Sequence, residues 1–168
     1  MNTQIDSDVK AKIERTLYES SVSTFEDTCF MYLAPEMEEE QKDLPVQAAS
    51  EARYKGDWTG KLLIEARGGM LEGIASNILS IDNPSLQQKK DALGEIANII
   101  CGNVVISLGR HGKVSKIESP QFLSEEELRK EENIGSLVAS VTLNFFEGRV
   151  DIKFFVDGYS ADKEQNSD

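Results

Sequence analysis

The sequence predicts an α+β fold, an antiparallel sheet with long helices packed on one face, and three observations lead there. In "SLVASVTLNFFEGRVDIKFFV", Val138, Val141, Leu143 and Phe145, then Val150, Ile152, Phe154 and Val156, alternate with polar positions on either side of Glu147-Gly148. Alternation about a short Gly-containing turn is the mark of a β-hairpin with one buried face. A second hairpin is read in "ASEARYKGDWTGKLLIEAR", around Lys55-Gly56-Asp57, with Leu62 and Ile64 in its second strand. Two long stretches instead repeat apolar residues at helical spacing. At 168 residues the chain fits one domain able to bury about two-thirds of its unfolded surface.

Taken in order, residues 1–33 form an N-terminal helical segment. Asp6 or Ser7 can cap a helix over 6–33, Val9, Ile13, Leu17, Phe25, Cys29 and Leu33 recur at its helical spacing, and the Ser20-Ser21 pair is a place for a bend. The segment 34–48 opens with the acidic, proline-punctuated "APEMEEEQKDL" and is expected to be a solvated connector. The core runs over 49–157. Inside it, after the first hairpin, a short helix over about 70–80 precedes the turn "IDNPSL", and a longer one follows over about 85–109. Sliding the second helix back by 22 residues lays Leu93, Ile96, Ala97 and Ile100 on Leu71, Ile74, Ala75 and Ile78. The same slide puts Glu95 on Gly73 and Asn98 on Ser76, so only the second helix carries polar groups there. Shared amphipathic spacing explains the apolar matches equally well. "RHGKVSKIESPQF" reads as an extended segment, "SEEELRKEE" as a solvated loop or helical turn, and 158–168 as a polar tail.

Charge and composition exclude several functions. A net charge of -12 repels phosphate backbones and anionic lipid surfaces, so neither nucleic acid nor membrane is expected as a partner. No apolar run approaches the roughly 20 residues that cross a bilayer, and the N-terminus lacks the pattern of a secretory signal, which points to the cytoplasm. Cys29 and Cys101 are too few and too far apart for a metal knuckle and fit small buried hydrophobes. His111, the one histidine, stands where a helix ends, and a cation is ordinarily favoured there.

The informative stretch is "DALGEIANIICGNVV", residues 91–105. Leu93, Ile96, Ala97, Ile100, Val104 and Leu108 make one stripe of the wheel, while Asp91, Glu95, Asn98 and Gly102 make a second, nearly opposite. Glu95 and Asn98 are i and i+3 neighbours, about 5 to 6 Å apart at Cβ, so both can engage one small target. Gly102 leaves the surface bare a turn further on, with Ile99 and Ile106 flanking, and a partner can approach closely. Glu and Asn on an outer helix face are usually only solvated. Yet Gly94, Asn98, Gly102 and Asn103 fall within ten residues, and Asn and Gly each cost roughly 0.7 to 1 kcal/mol against Ala in an exposed helix. Stability given up at one spot is commoner at sites than on bland surfaces.

These residues resemble the signature helix of the CheC/CheX/FliY phosphatases of bacterial chemotaxis, in which Asp or Ser, three residues, Glu, two residues and Asn are followed after about 22 residues by Pro. Asp91, Glu95 and Asn98 match, and Pro120 follows Asn98 after 21 intervening residues, one short of the pattern. The likeness extends over most of the chain, from the N-terminal helix through "GDWTGKLLIEA" to the C-terminal strands. With Gly73 and Ser76 where a second motif would stand, it is similar to the single-motif CheX branch.

The resemblance implies a phosphatase for the aspartyl phosphate of a CheY-like response-regulator receiver in chemotaxis signalling. In that reading Asn98 holds a water in line with phosphorus and Glu95 pairs with the receiver's phosphate-contacting lysine. Asp91 and Pro120 support, and Ile99 and Gly102 adjoin the partner. No cofactor of the chain's own is implied, since the acyl phosphate is labile and Mg²⁺ sits on the phosphorylated partner, leaving mostly positioning to be supplied. CheX-like proteins pair through sheet edges, and Phe145, Phe146, Phe154 and Phe155 offer apolar area on both faces of the last hairpin, so a homodimer is expected. Two alternatives stand beside this, a receiver-binding adaptor without catalysis and a FliY-like structural or switch component.

Overall fold

The computed structural model describes residues 5–109, 113–131 and 136–159. His111 and most of the polar tail lie outside these. Helix α1, Ser7–Cys29, begins at Asp6, whose carboxylate accepts the Asp8 amide at 2.9 Å. It runs as one helix through Ser20-Ser21 and ends four residues before the expected limit of 33. Phe30 turns left-handed at φ 54°, and the Phe30 and Met31 amides both reach the Phe25 carbonyl. That turn sends Met31 and Ala34 into the core.

The acidic connector holds more structure than its composition suggests. A 3-10 turn, Pro35–Met37, leads into the one-turn helix α2, Glu38–Gln41. Gln41 is buried, donating to the Phe145 carbonyl and accepting from Asn144, both at 2.8 Å. A segment expected to be solvated is thus pinned to the last hairpin, because one amide satisfies groups that would otherwise be buried without partners. Strand β1, Val46–Gly56, starts inside the stretch assigned to the connector and pairs with β2, Trp58–Gly68. Helices α3, Met70–Leu79, and α4, Leu86–Ser107, follow, then short strands β3, Val114–Ile117, and β4, Gln121–Leu123. Helix α5, Glu125–Glu131, precedes the closing hairpin of β5, Ser136–Asn144, and β6, Gly148–Tyr159.

The six strands form one antiparallel sheet in the order β3-β1-β2-β6-β5, with β4 also on β1. On one face Leu62, Ile64, Ala66, Val150, Ile152 and Phe154 meet the buried sides of α1, α3 and α4 in a single core. The odd step from Val138 to Val141 in the sequence coincides with a register shift between Leu137 and Ala139. Tyr54 braces the centre of the sheet: its ring stacks on Phe154, and its hydroxyl donates to the Phe155 carbonyl two strands away. A Cβ on Gly60 would collide with that hydroxyl and that carbonyl, so only glycine fits between them.

Helices do not keep wholly to one face. The long ones do, but the charged run after β4 holds α5, whose Leu128 packs on the opposite face with Ala49, Leu63, Leu123 and Phe155. That face otherwise carries a charge lattice. Glu65 is paired by Lys153 at 2.7 Å and Arg67 at 3.2 Å, and Asp151 by Arg67 at 2.7 Å and Arg149 at 2.9 Å. Of the four phenylalanines expected to seek a partner chain, Phe145, Phe154 and Phe155 are buried within this one. Only Phe146 is exposed, so that argument for a dimer loses most of its area.

Candidate functional site

The site is built on α4, and its first turn is fastened well. Ser85 accepts the Gln88 amide at 3.1 Å while Gln88 accepts the Ser85 amide at 2.8 Å, a complete capping box. Leu93, Ile96, Ala97, Ile100, Val104 and Leu108 are all fully buried, as their spacing predicts. Ala92, Gly94, Cys101 and Val105 are buried too, because α4 meets β1 and β2 as well as α1 and α3. Asp91 and Glu95 remain exposed and Asn98 half-buried.

These side chains border a groove of about 300 Å³ between α4 and the segment that joins β3 to β4. Pro120 forms its far wall. Its ring lies 2.8 and 3.1 Å from where a Cβ on Gly94 would be, so the missing side chain of Gly94 is the seat of Pro120. Asp91 accepts from Gln87 at 2.9 Å, one turn back. Lys90 rests its ammonium 4.9 Å from the centre of the Phe122 ring. Asn98 differs from its neighbours: its Oδ1 is buried and has no hydrogen-bond partner among the described residues. A buried amide oxygen left without a donor is costly, roughly 1 to 3 kcal/mol, and turning the amide outward would bring it to the groove, where a water or partner group would satisfy it.

Asp91, Glu95, Asn98 and Pro120 therefore come together at one groove, although Pro120 stands far along the chain from the others. Gly102 lies one turn on, beside Ile117, and Ile99 is half-buried outside the groove. Ile106 is 77% exposed at the far end of the helix. Two of the four residues that seemed to weaken the helix have structural reasons, since Gly94 seats Pro120 and Asn103 donates to Ser20 on α1 at 2.9 Å. From sequence Gly94 stood out only as one of four residues that weaken the helix, without its place in the groove, and Lys90 and Phe122 were not singled out. Glycine inside a helix beside a polar stripe was the available signal for the first. Cys29 and Cys101 are buried, and burial pushes both thiols up to about 12, which keeps them protonated and inert. Among the described residues no three His, Cys, Asp or Glu side chains are grouped to hold a metal, and no helix is long and apolar enough to cross a membrane.

The model of the family described as chemotaxis phosphatase CheX matches residues 48–144, a span that begins within β1 and holds all of α4 with Pro120. The chain belongs to the CheX family. Solved structures agree on the fold. Chemotaxis protein CheX from Vibrio vulnificus superposes with a TM-score of 0.63 at 17% identity, covering 88% of this chain and 97% of its own. The CheX of a CheX-CheY-BeF3-Mg²⁺ complex from Borrelia burgdorferi gives 0.62 at 15% identity, covering 84% and 96%. Thermotoga maritima FliY is more distant, at 0.50 and 13% identity, covering 94% and 92%. No curated protein matches the chain. Within the CheX family, then, this chain has an exposed carboxylate and a half-buried carboxamide side by side on a rigid helix. Such a pair can position a charged partner and a water.

Proposed function

We propose that this chain speeds hydrolysis of the aspartyl phosphate on a CheY-like receiver domain. The observation that carries the reading is the orphan Oδ1 of Asn98, a residue lining a groove rimmed by Glu95. That oxygen needs a donor, and a water is the donor that hydrolysis requires. Glu95, exposed and ahead of Asn98 by one turn, is free to pair with the lysine of the receiver and so fix where the amide lands. The acyl phosphate, the lysine and Mg²⁺ come with the partner, and the chain supplies the water's position. Membership of a phosphatase family supports this, as does a relative solved in complex with CheY and BeF3.

The test is single-turnover release of phosphate from a phosphorylated receiver. Asn98→Ala should slow release by about a hundredfold or more, since misplacing one reacting group by an ångström already costs that much, while binding to a beryllofluoride-loaded receiver persists. Near wild-type release by Asn98→Ala would show that Asn98 is not the catalytic amide, and wild-type protein that binds the receiver without hastening release would turn the reading toward an adaptor. We also propose a homodimer, supported by β5, a nine-residue edge strand with one side unpaired in the sheet and Leu137 54% exposed on it. Light scattering at micromolar concentration should give twice the chain mass of 18.7 kDa.

A further inference from the structure

Asp91 and Glu95 are the ridge between two grooves. One is the Asn98 groove already described. The other, of about 270 Å³, lies between α3 and α4 and is lined by Ile78, Leu79, Gln88 and Ala92 as well as by the two carboxylates. Exposed apolar residues also follow it along the chain. Leu79 is 42% exposed, and on the segment entering α4 Ile81 and Leu86 are 36% and 61% exposed. Exposed large hydrophobic residues are otherwise scattered over the described surface, on α1, the following loop, the end of α4 and the last hairpin. Three of them within eight residues of the chain, one lining a groove beside a charged pair, are a different thing from a single exposed leucine.

We propose that the α3–α4 groove is the second half of the receiver-docking surface and takes an apolar side chain of the receiver from beside its phosphate-contacting lysine. This rests on the function proposed above, because the receiver is placed by the lysine that Glu95 meets. A globular partner with its lysine on Glu95 and its phosphoryl group near Asn98 straddles the ridge, so its surface on the other side comes down over Leu79 and Ile78. The size of the contact argues the same way. A carboxylate and an amide touch only a small area, whereas a specific interface buries about 800 Å² on each partner around an apolar centre. Asp91 and Glu95 border this groove directly, and Ile78, Leu79 and Ala92 give it an apolar lining.

The two grooves then do different work. Contacts in the Asn98 groove are made to the reacting group, so they are felt in the rate of release. Contacts in the α3–α4 groove are the same before and during reaction, so they set affinity and leave the chemical step alone. Phosphorylation of the receiver does not alter them either. Their loss weakens loaded and bare receiver by the same factor.

The experiment compares Leu79→Asp, Leu86→Gln and Asn98→Ala with wild type. Each is assayed for binding to a CheY-like receiver with and without beryllofluoride and Mg²⁺, and for single-turnover release at saturating protein, with melting temperature as the check on folding. Leu79→Asp should weaken binding to both receiver forms by tenfold or more with release at saturation unchanged, and Leu86→Gln should do the same to a smaller extent. Unchanged receiver binding by both leucine variants overturns the proposal while the function stands, provided Asn98→Ala still stops release. If Leu79→Asp instead halves the mass seen by light scattering and leaves receiver binding intact, the groove belongs to a second copy of this chain and the proposal is equally lost. Failure of wild type to bind either receiver form breaks the underlying function and is recognisable as such.

Discussion

Helices α3 and α4 share a sequence period, lie side by side on the same sheet and differ at the places where one carries Glu95 and Asn98. The 22-residue slide puts Gly73 of α3 at the position of Glu95. The surface there is closed: a Cβ on Gly73 would stand 2.8 Å from the Met31 methyl and 3.5 Å from the Glu147 side chain. The turn at 145–148 also bonds the Gly69 amide through the Glu147 carbonyl at 2.8 Å, sealing the start of α3. On α4 the covering group is Pro120, and it sits over Gly94, one residue to the side, so Glu95 and Asn98 keep access to the groove. A motif is thus usable only where the neighbouring loop covers the adjacent position and not the motif itself.

The sharpest way to break this comparison is to move the motif. Gly73→Glu with Ser76→Asn, placed in an Asn98→Ala background, should restore none of the roughly hundredfold lost release, because Met31 and Glu147 stand where the glutamate side chain at 73 would have to leave the helix. Recovery of release would show that α3 is as open as α4. Next in size, Gly94→Ala drives a methyl into the Pro120 ring, which sits on backbone that has to move, and should lower stability by about 1 to 3 kcal/mol on denaturant titration. Its counterpart Gly102→Ala meets only the Ile117 methyl at 3.7 Å, an ordinary contact, and should gain up to about 1 kcal/mol through helix propensity. Equal effects at the two glycines would remove Pro120 as the reason for Gly94. Glu95→Ala, losing the charge-assisted contact proposed for it, should weaken receiver binding roughly tenfold and leave the melting temperature unmoved.

The smallest effect acts on the shared floor and so on both helices alike. Burial alone would raise the Asp151 carboxyl, but hydrogen bonds from Thr142, Arg149 and Arg67 outweigh it and hold the group below its ordinary 3.8. A carboxylate depressed on folding adds stability above that value and loses it as pH falls through the lower, folded one. Acid titration should therefore show a modest destabilisation confined to pH below about 4, and Asp151→Asn should flatten it.

What the sequence made legible divides along physical lines. Both hairpins and the long helices were readable, because alternation and 3.6-residue spacing are local and each has a buried face to report. Asp91, Glu95 and Asn98 were readable for the same reason, as a second stripe on one helix. The end of α1 was not, since Phe30 in a left-handed turn has no glycine to announce it. The burial of Gln41 and the foot that Leu128 places on the far face depend on partners about a hundred and about eighty residues away, Phe145 and Ala49. Pro120 could be placed beside Asn98 only through the family pattern, and its contact with Gly94 was invisible for that reason.

The hydroxyl of Tyr54 has a further consequence, for how the chain finds its fold. β1, β2 and β6 are long, and long antiparallel strands can pair one residue out of step. In such a slip Leu62 would turn to the outer face and Lys61, fully buried there beside the Phe155 ring, would point into the helical core. The Tyr54 ring passes over Gly60 alone, and its proton reaches one carbonyl of β6 alone, so the correct pairing is the one in which that bond forms. A single phenol thus acts as the alignment mark of three strands, and the distance from the sheet to the groove on α4 inherits its accuracy.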